Sequence, residues 1–384
     1  MNARSPARKK IILVGSRKGA IAAAKRCGWE PVVIDVKARR EQSHLAFGGG
    51  SDGALGQMRE IYPEGDSVAP LGVAAVTTGA VMAAAAIRQH FGLPGIGPDV
   101  ALRCHDKLVM KKAIVAAGLR CAPWMETGER TTASELIDSL GLPVVLKMPI
   151  SSGGRGVWIC HDREEVTRHL RPGLLAEGFV TGTEMSVETF RSAGVSIFQN
   201  FTHYLRPRWA NVVPADLAQD DARGVSDLAE KVHQALGISS GISHMEVFLG
   251  EDGPVFGEIA ARPPGGYLMD LISRAYDFDP WEVLLRLAVG EVPQPLPEVA
   301  ARYAGVWLVH PGEGVVSAID GLDRARAIPH VVHASCKLRT GDAVADRVGS
   351  GESKGYVLAE APSLQACAHA LQQAVEAIRV TCRP

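Results

Sequence analysis

Short apolar runs alternate with small-residue helical stretches through the first hundred positions. Lys10 to Val14, Pro31 to Val36 and Val73 to Thr77 read as strands, and Gly19 to Cys27 and Gly79 to His90 as helices. That rhythm predicts a parallel sheet covered by helices. Asp106 as N-cap and Gly118 just past the last turn bracket a further helix. Thr132 with Glu135, Asp162 with Glu165, and Asp279-Pro280-Trp281-Glu282 mark three more helix starts of the capping-box kind.

Between these helices the pattern changes to strands in pairs. Val144 to Lys147 and Val157 to Ile159 flank a glycine-rich loop, and Ile242 to Leu249 and Pro254 to Ala260 flank the turn Gly250-Glu251-Asp252-Gly253. The second pair predicts a hairpin. Pro293, Pro295 and Pro297 mark a linker. Beyond it, strand-like Ala304 to His310, Val331 to Leu338 and Lys354 to Ala361 precede an amphipathic helix from Leu364 to Val380 with Leu371, Val375 and Ile378 on one face. The chain is therefore expected to combine α/β and α+β folding. Residues 1–100 would form an N-terminal α/β domain with a parallel sheet, residues 101–295 a mixed α+β domain, and residues 296–384 a small β-rich α+β domain.

Composition narrows the partners. The 384 residues suit two or three domains at roughly 150 residues each. A net charge of −1 supplies no field to recruit nucleic acid or an anionic membrane, so small molecules are the expected partners. The seven cysteines are scattered and contain no C-x-x-C, which fits reduced thiols and a cytoplasmic setting. His330 and His333, in a strand-like segment, would face opposite sides and do not read as zinc ligands. Ile11 to Gly15 is too short for a secretory core, and the uncharged run Val68 to Ile87 is Ala-, Thr- and Gly-rich with Pro70 inside, so it reads as a buried strand and helix. Gly15-Ser16-Arg17-Lys18-Gly19 lacks G-x-G-x-x-G spacing, which argues against a nicotinamide cofactor.

Glu246 and Glu258 carry the most chemistry. The hairpin sets the two carboxylates side by side, where they repel unless a cation or proton intervenes; Mg²⁺ is the natural partner if phosphates converge there, and two solvated strand-edge acids is the plain alternative. Lys147 ends an apolar run ahead of Ser151-Ser152-Gly153-Gly154-Arg155-Gly156. Glycines there let backbone N–H groups fold over phosphate oxygens, though an ordinary flexible hairpin has the same composition. Leu174 to Val180, followed by Gly182-Thr183-Glu184, can offer a peptide edge to a purine, with Glu177 accepting from its exocyclic amine and Glu184 from ribose hydroxyls.

The order Lys107, Lys147, glycine-rich loop, Glu177 with Phe179 and Val180, Glu184, Glu246, Glu258, Arg262 resembles the ATP-grasp superfamily over residues 10–300. The resemblance implies a Rossmann-like N-terminal domain and, over residues 101–295, a two-lobed ATP-grasp domain with its small lobe at 120–180. The resemblance implies that Lys107 and Lys147 hold the ATP phosphates under a mobile loop of Ser151, Ser152, Gly153, Gly154 and Gly156. It implies that Glu177, Phe179 and Val180 read adenine, that Glu184 binds ribose, and that Glu246 and Glu258 ligate one or two Mg²⁺ ions, with Mn²⁺ as a substitute. Arg262, with Lys147, would act on the transferred phosphoryl group. One departure stands out: Ala260 occupies the position where many members carry a metal-ligating Asn.

Within the superfamily the chain looks most like the L-amino-acid ligases, or dipeptide synthetases. After Arg262 it has Pro263-Pro264-Gly265-Gly266 rather than the Gln-Val-Glu type stretch of biotin-dependent carboxylases. The expected activity is ATP-dependent joining of a carboxylate, activated as an acyl phosphate, to an amine. Gly265, Gly266 and the segment His203, Arg206, Arg208, read as a loop, are candidate substrate contacts. A nucleotide-biosynthesis ligase or carboxylase and a non-catalytic ATP-binding protein are the alternatives. A homodimer is the expected assembly.

Overall fold

The computed structural model describes residues 9–35, 44–46, three positions within 53–56, and 69–383. Val36 and Val68, which bound two of the expected segments, lie outside the described residues.

The N-terminal sheet is parallel as the alternation predicts. Its order is His44–Ala46, Glu30–Asp35, Lys10–Val14, Val73–Ala75. Ile12, Val14, Ile11 and Leu13 alternate into two different cores, one on each face of the sheet, because successive side chains of a strand point opposite ways. The helix Val81–Phe91 covers one face; Lys18–Arg26 and Pro280–Ala288 cover the other. Both cores continue past residue 100 into strands and helices of the middle of the chain, so Met185, Val187 and Val247 pack with the N-terminal sheet.

The helix starts read from sequence are present. The Asp106 side chain accepts from Leu108 N and Val109 N to open the helix Lys107–Ala116, and Thr132 with Glu135 forms a reciprocal capping box. Asp162 and Asp279 also cap through their side chains. There, however, Glu165 accepts from His161 N and Glu282 pairs with Arg286, so neither closes the box expected.

The small lobe is a four-stranded antiparallel sheet, ordered Trp124–Glu126, Leu175–Gly178, Val144–Lys147, Val157–Cys160. Val144, Leu146 and Ala176 face its own core with Leu136 and Val166. Val145, Lys147 and Glu177 therefore occupy the opposite face.

An eight-stranded sheet forms the rest. The hairpin Gly241–Gly250 and Gly253–Ala260 is antiparallel as expected, and next to it run Thr183–Ser192, Val195–Arg206 and Ala210–Val213. The segment His203 to Arg206, expected to be loop, is the end of a twelve-residue strand. Its alternation of aromatic and basic residues conceals a strand that turns only at Pro207 to Trp209.

The C-terminal part departs from expectation in two ways. Tyr303–Val309, Gly355–Ala361 and Val331–Cys336 extend the large sheet instead of forming a sheet of their own, with Ala210–Val213 as the joining strand. Val212 belongs to the same core as Val357 and Leu371, which is why the sheet stays continuous across the proline-rich linker. The last helix ends at Ala377 rather than Val380. Ile378 is extended, and Arg379–Arg383 forms a small sheet with Gly314–Asp320 and Ala343–Val344. Among the described residues no helix is long and apolar enough to cross a membrane.

Candidate functional site

Glu246 and Glu258 are register partners in the hairpin. The pairing continues across two more strands: Glu246 is opposite Ser186, and Ser186 is opposite Thr202. One row over, Ala260, His244, Glu188 and Asn200 pair in the same way. Two adjacent cross-strand rows thus bring eight side chains onto one face, while Met245, Val247 and Ile259 alternate into the core beneath.

Glu188 sits at the centre of that face, fully buried. It accepts from Ser186 Oγ (2.7 Å), Asn200 Nδ2 (2.7 Å), Thr202 Oγ1 (2.6 Å) and His244 Nδ1 (2.8 Å). Burial would raise its carboxyl, but His244 foremost, then Thr202 and Ser186, hold it below the usual carboxylate range. His244 turns its other ring nitrogen, Nε2, to Glu246 at 3.9 Å. A buried acid thus orients a histidine that abuts the half-buried pair, an arrangement the spacing of the two acids did not disclose. Its signal was present in the alternation: His244 is two residues before Glu246 and shares its face.

Burial, then the charge of Glu258, pushes Glu246 up to about 7. Such a pair suits a divalent cation, whose charge removes the repulsion. Among the described residues no group of three or more His, Cys, Asp and Glu side chains is placed to hold a metal. A Mg²⁺ ion on Glu246 and Glu258 would therefore draw its remaining oxygens from phosphates and water, which Mg²⁺ commonly retains. Ala260, opposite His244, offers no further oxygen.

Lys107 reaches Glu258 at 3.5 Å and donates to Ser151 O and Ser151 Oγ at 3.2 and 3.3 Å. It therefore joins the glycine-rich loop to the acid pair. That loop is closed at its base by Met148 N donating to Gly156 O (2.8 Å), and Gly153, Gly154 and Gly156 all adopt positive φ. Lys147 lies 2.5 Å from Glu177, and Lys111, one helical turn beyond Lys107, lies 2.7 Å from the other oxygen of the same carboxylate. Burial works against the Lys147 ammonium, but Glu177, Glu258 and Glu246 hold its pKa above the usual value. Lys111 was missed in the sequence, although its i+4 spacing from Lys107 puts both on one helix face.

Both Glu177 oxygens are thus engaged with lysines. Phe179 N donates to Pro143 O (3.2 Å), and the Phe179 ring is 46% exposed beside Val180. Glu184, opposite Phe248, is raised by burial, with Lys147 opposing and Glu258 adding to the shift, which places it in the field of the same cluster.

Arg262 follows directly on the hairpin. Its Nη1 donates to Pro263 O (2.7 Å), while its buried Nε has no partner. Burial, then the charge of Arg17, lowers it to about 10, against the pull of Glu258 and Glu246. Gly266, at positive φ, lies beside the Asn211 side chain. Of the three basic candidates, Arg208 reaches Val348 O (2.9 Å) and lies against Gly154, so it joins the loop; Arg206 stacks over Trp209, 5.2 Å from the ring centroid. His203 alternates to the face opposite Thr202, and the site gains its neighbour Tyr204 instead, a phenol raised well above its usual value by burial and by Glu246 and Glu188.

The fold is an ATP-grasp fold. Residues 112–270 match the ATP-grasp domain family. Residues 306–383, which take in most of the strands that extend the large sheet, match the family described as L-amino acid ligase C-terminal domain 2. The chain is 29% identical over 311 residues to an uncharacterized protein, y4rH, of Sinorhizobium fredii; the match spans 76% of this chain and 64% of that one. It is 22% identical to an L-arginine-specific L-amino acid ligase of Bacillus subtilis, spanning 72% of each chain. It is 27% identical to a formate-dependent phosphoribosylglycinamide formyltransferase of Hahella chejuensis, over 72% of this chain and 70% of that. The crystal structure of an L-amino acid ligase from Bacillus licheniformis superposes over 99% of this chain and 100% of that one, with a TM-score of 0.81 at 18% identity.

Proposed function

We propose that the protein is an ATP-dependent carboxylate–amine ligase that activates an amino acid as its acyl phosphate and joins it to an amine, releasing ADP and phosphate. The observation that carries this reading is the pairing of Glu246 with Glu258, with Lys107 bridging Glu258 to the glycine-rich loop and Arg262 in the field of both acids. The ADP-forming ligase class follows from the ATP-grasp and ligase C-terminal domains.

Each residue has a task in that reaction. Lys107, Lys147 and the loop amides of Ser151 to Gly156 bind the triphosphate, and the backbone at Phe179 and Val180 borders adenine, with Glu184 at the ribose. Glu246 and Glu258 would hold Mg²⁺, one or two ions, which when bound would supply charge neutralisation at the phosphates. A substrate carboxylate oxygen attacks the γ-phosphorus, the bond to the β-phosphate oxygen breaks, and ADP leaves. Arg262 steadies the acyl phosphate as charge gathers on its oxygens. The amine then attacks the acyl carbon, phosphate departs, and the amine loses a proton. Gly265 and Gly266 leave room beside Arg262 for the substrate carboxylate. The substrates are small molecules, and a cytoplasmic setting fits a reaction that consumes ATP.

A second reading is a nucleotide-biosynthesis ligase, favoured by the formyltransferase relative. A screen of ADP release with Mg²⁺ and pairs of carboxylates and amines separates the two. Stimulation by amino acids, absent in Glu258→Gln, is the expected result. Stimulation only by formate, bicarbonate or ribonucleotide amines would replace the first reading with the second, and no release in any pairing would leave an ATP-binding protein without this activity.

A further inference from the structure

The tip of the glycine-rich loop rests on a C-terminal segment that the ligase reading leaves without a task. Gly349, in the connection between Ala343–Val344 and Gly355–Ala361, is buried, and a Cβ placed on it would stand 3.2 Å from Gly153 O and 3.6 Å from Arg155 Cγ. Its φ of −142° suits any residue, so the missing side chain serves the close approach of two segments rather than the backbone conformation.

The turn at Pro207 to Trp209 supplies the other half of the contact. Arg208 Nη2 donates to Val348 O (2.9 Å), and in return Arg347 Nη2 donates to Arg208 O. The Arg347 guanidinium lies over the Trp209 ring, 4.0 Å from its centroid. Arg208, at a φ of 68°, lies against Gly154. A residue with a side chain keeps such a left-handed φ only where its surroundings hold it. Gly349 on Gly153 and Arg208 on Gly154 thus meet the loop tip side by side, and the reciprocal bonds of Arg208 with Arg347 and Val348 lock the two together.

The segment is itself anchored. Val348 N and Gly349 N donate to Glu352 (2.7 and 3.2 Å), and Lys354 N donates to Val309 O (2.8 Å). Those two amides foremost, then Arg155 and Arg347, hold the Glu352 carboxyl below its usual range, so an acid of the C-terminal part lies in the field of the loop's own arginine. Lys107 ties the loop at Ser151; Arg208 and Gly349 tie its tip.

We infer that Arg347 is a positioning residue for the glycine-rich loop: with Arg208 and Gly349 it latches the loop tip to the C-terminal part, and so sets the fraction of molecules whose loop is closed for the nucleotide. This rests on the ligase reading, in which that loop binds the triphosphate, and deepens it.

Arg155, exposed within the loop, supplies the probe as a trypsin site. Native-state cleavage tracks the open population, and affinity falls with the fraction that is closed. Arg347→Ala is therefore expected to speed the cut between Arg155 and Gly156 about tenfold without nucleotide, and to weaken MgATP binding, read by calorimetry, about as much, at an unchanged urea midpoint. Arg347→Lys keeps the charge but loses the flat stack and forked donors, and should fall between the two. Equal cut rates in wild type and Arg347→Ala, or a faster cut with MgATP affinity unchanged, overturn the inference. If Arg347→Ala also lowers the urea midpoint, Gly349→Val decides, since it wedges the loop tip and removes no charge: a faster cut upholds the latch, and the wild-type rate sinks it. A wild-type protein that neither binds MgATP nor is protected by it from the cut refutes the loop's part in the ligase reading, while the nucleotide-free cut rates still judge the latch.

Discussion

His244 joins two acids of unequal standing: its Nδ1 is 2.8 Å from the fully buried Glu188, and its Nε2 is 3.9 Å from Glu246. Because four donors saturate Glu188, the histidine is held in one orientation, and through it the acid pair is braced from behind. Changing Glu188 to Ala is expected to lower the rate of ADP release about 10- to 100-fold while Glu246 and Glu258 remain in place. Retention of the full rate in a folded variant would remove Glu188 from the site's support.

The same carboxylate makes stability sensitive to acid. Its folded-state pKa is lowered, so its contribution is present above the unfolded value and is lost as pH falls from there through the lower folded one. Urea midpoints of the wild type and Glu188→Gln are expected to converge as the pH is brought below both values.

Glu246 has the opposite sign. With its folded pKa raised to about 7, it favours the fold below the unfolded carboxylate value and loses that contribution as pH rises through about 7. Metal-free protein should therefore lose thermal stability over that interval relative to Glu246→Gln, and Mg²⁺ should restore it at the alkaline end. Since the ion binds the deprotonated acid, the apparent Mg²⁺ affinity should drop by about tenfold per pH unit below 7.

Lys111 and Lys147 share Glu177 in a nearly buried triad. Removing the acid leaves two ammonium groups without their counter-charge. Glu177→Gln is expected to destabilise the fold by about 3–5 kcal/mol, read from chemical unfolding, more than the loss of an exposed ion pair such as Lys112 with Glu126.

Gly156 combines positive φ with a site where a Cβ would lie 2.5 Å from Met148 Cγ. Gly156→Ala therefore strains the base of the loop that Lys107 contacts, and the expected outcome is a higher KM for ATP with a global stability loss of only about 1 kcal/mol. An unchanged KM would separate this loop from nucleotide binding.

Local chemistry was legible along the chain. The caps at Asp106 and Thr132, the glycine turn between the two acids, and the strand ending at Lys147 depend on neighbours a few residues away, and the sequence by itself determined them. The hairpin register that faces Glu246 with Glu258 follows from the same short-range signals. The tertiary structure decided what distant segments do together. Glu177 had the right position for a nucleotide hinge, but only the tertiary structure engaged one of its oxygens with Lys147 of the neighbouring strand and the other with Lys111 of the helix Lys107–Ala116. Pairing of Thr183–Ser192 with the hairpin placed Glu188 behind His244, and the strand phase at Thr202 chose Tyr204 over His203. The C-terminal strands joined the large sheet because Val212 and Leu371 share a core. Caps and turns are specified by hydrogen bonds within one stretch of backbone, whereas which strand edges meet depends on burying apolar faces from the whole chain at once.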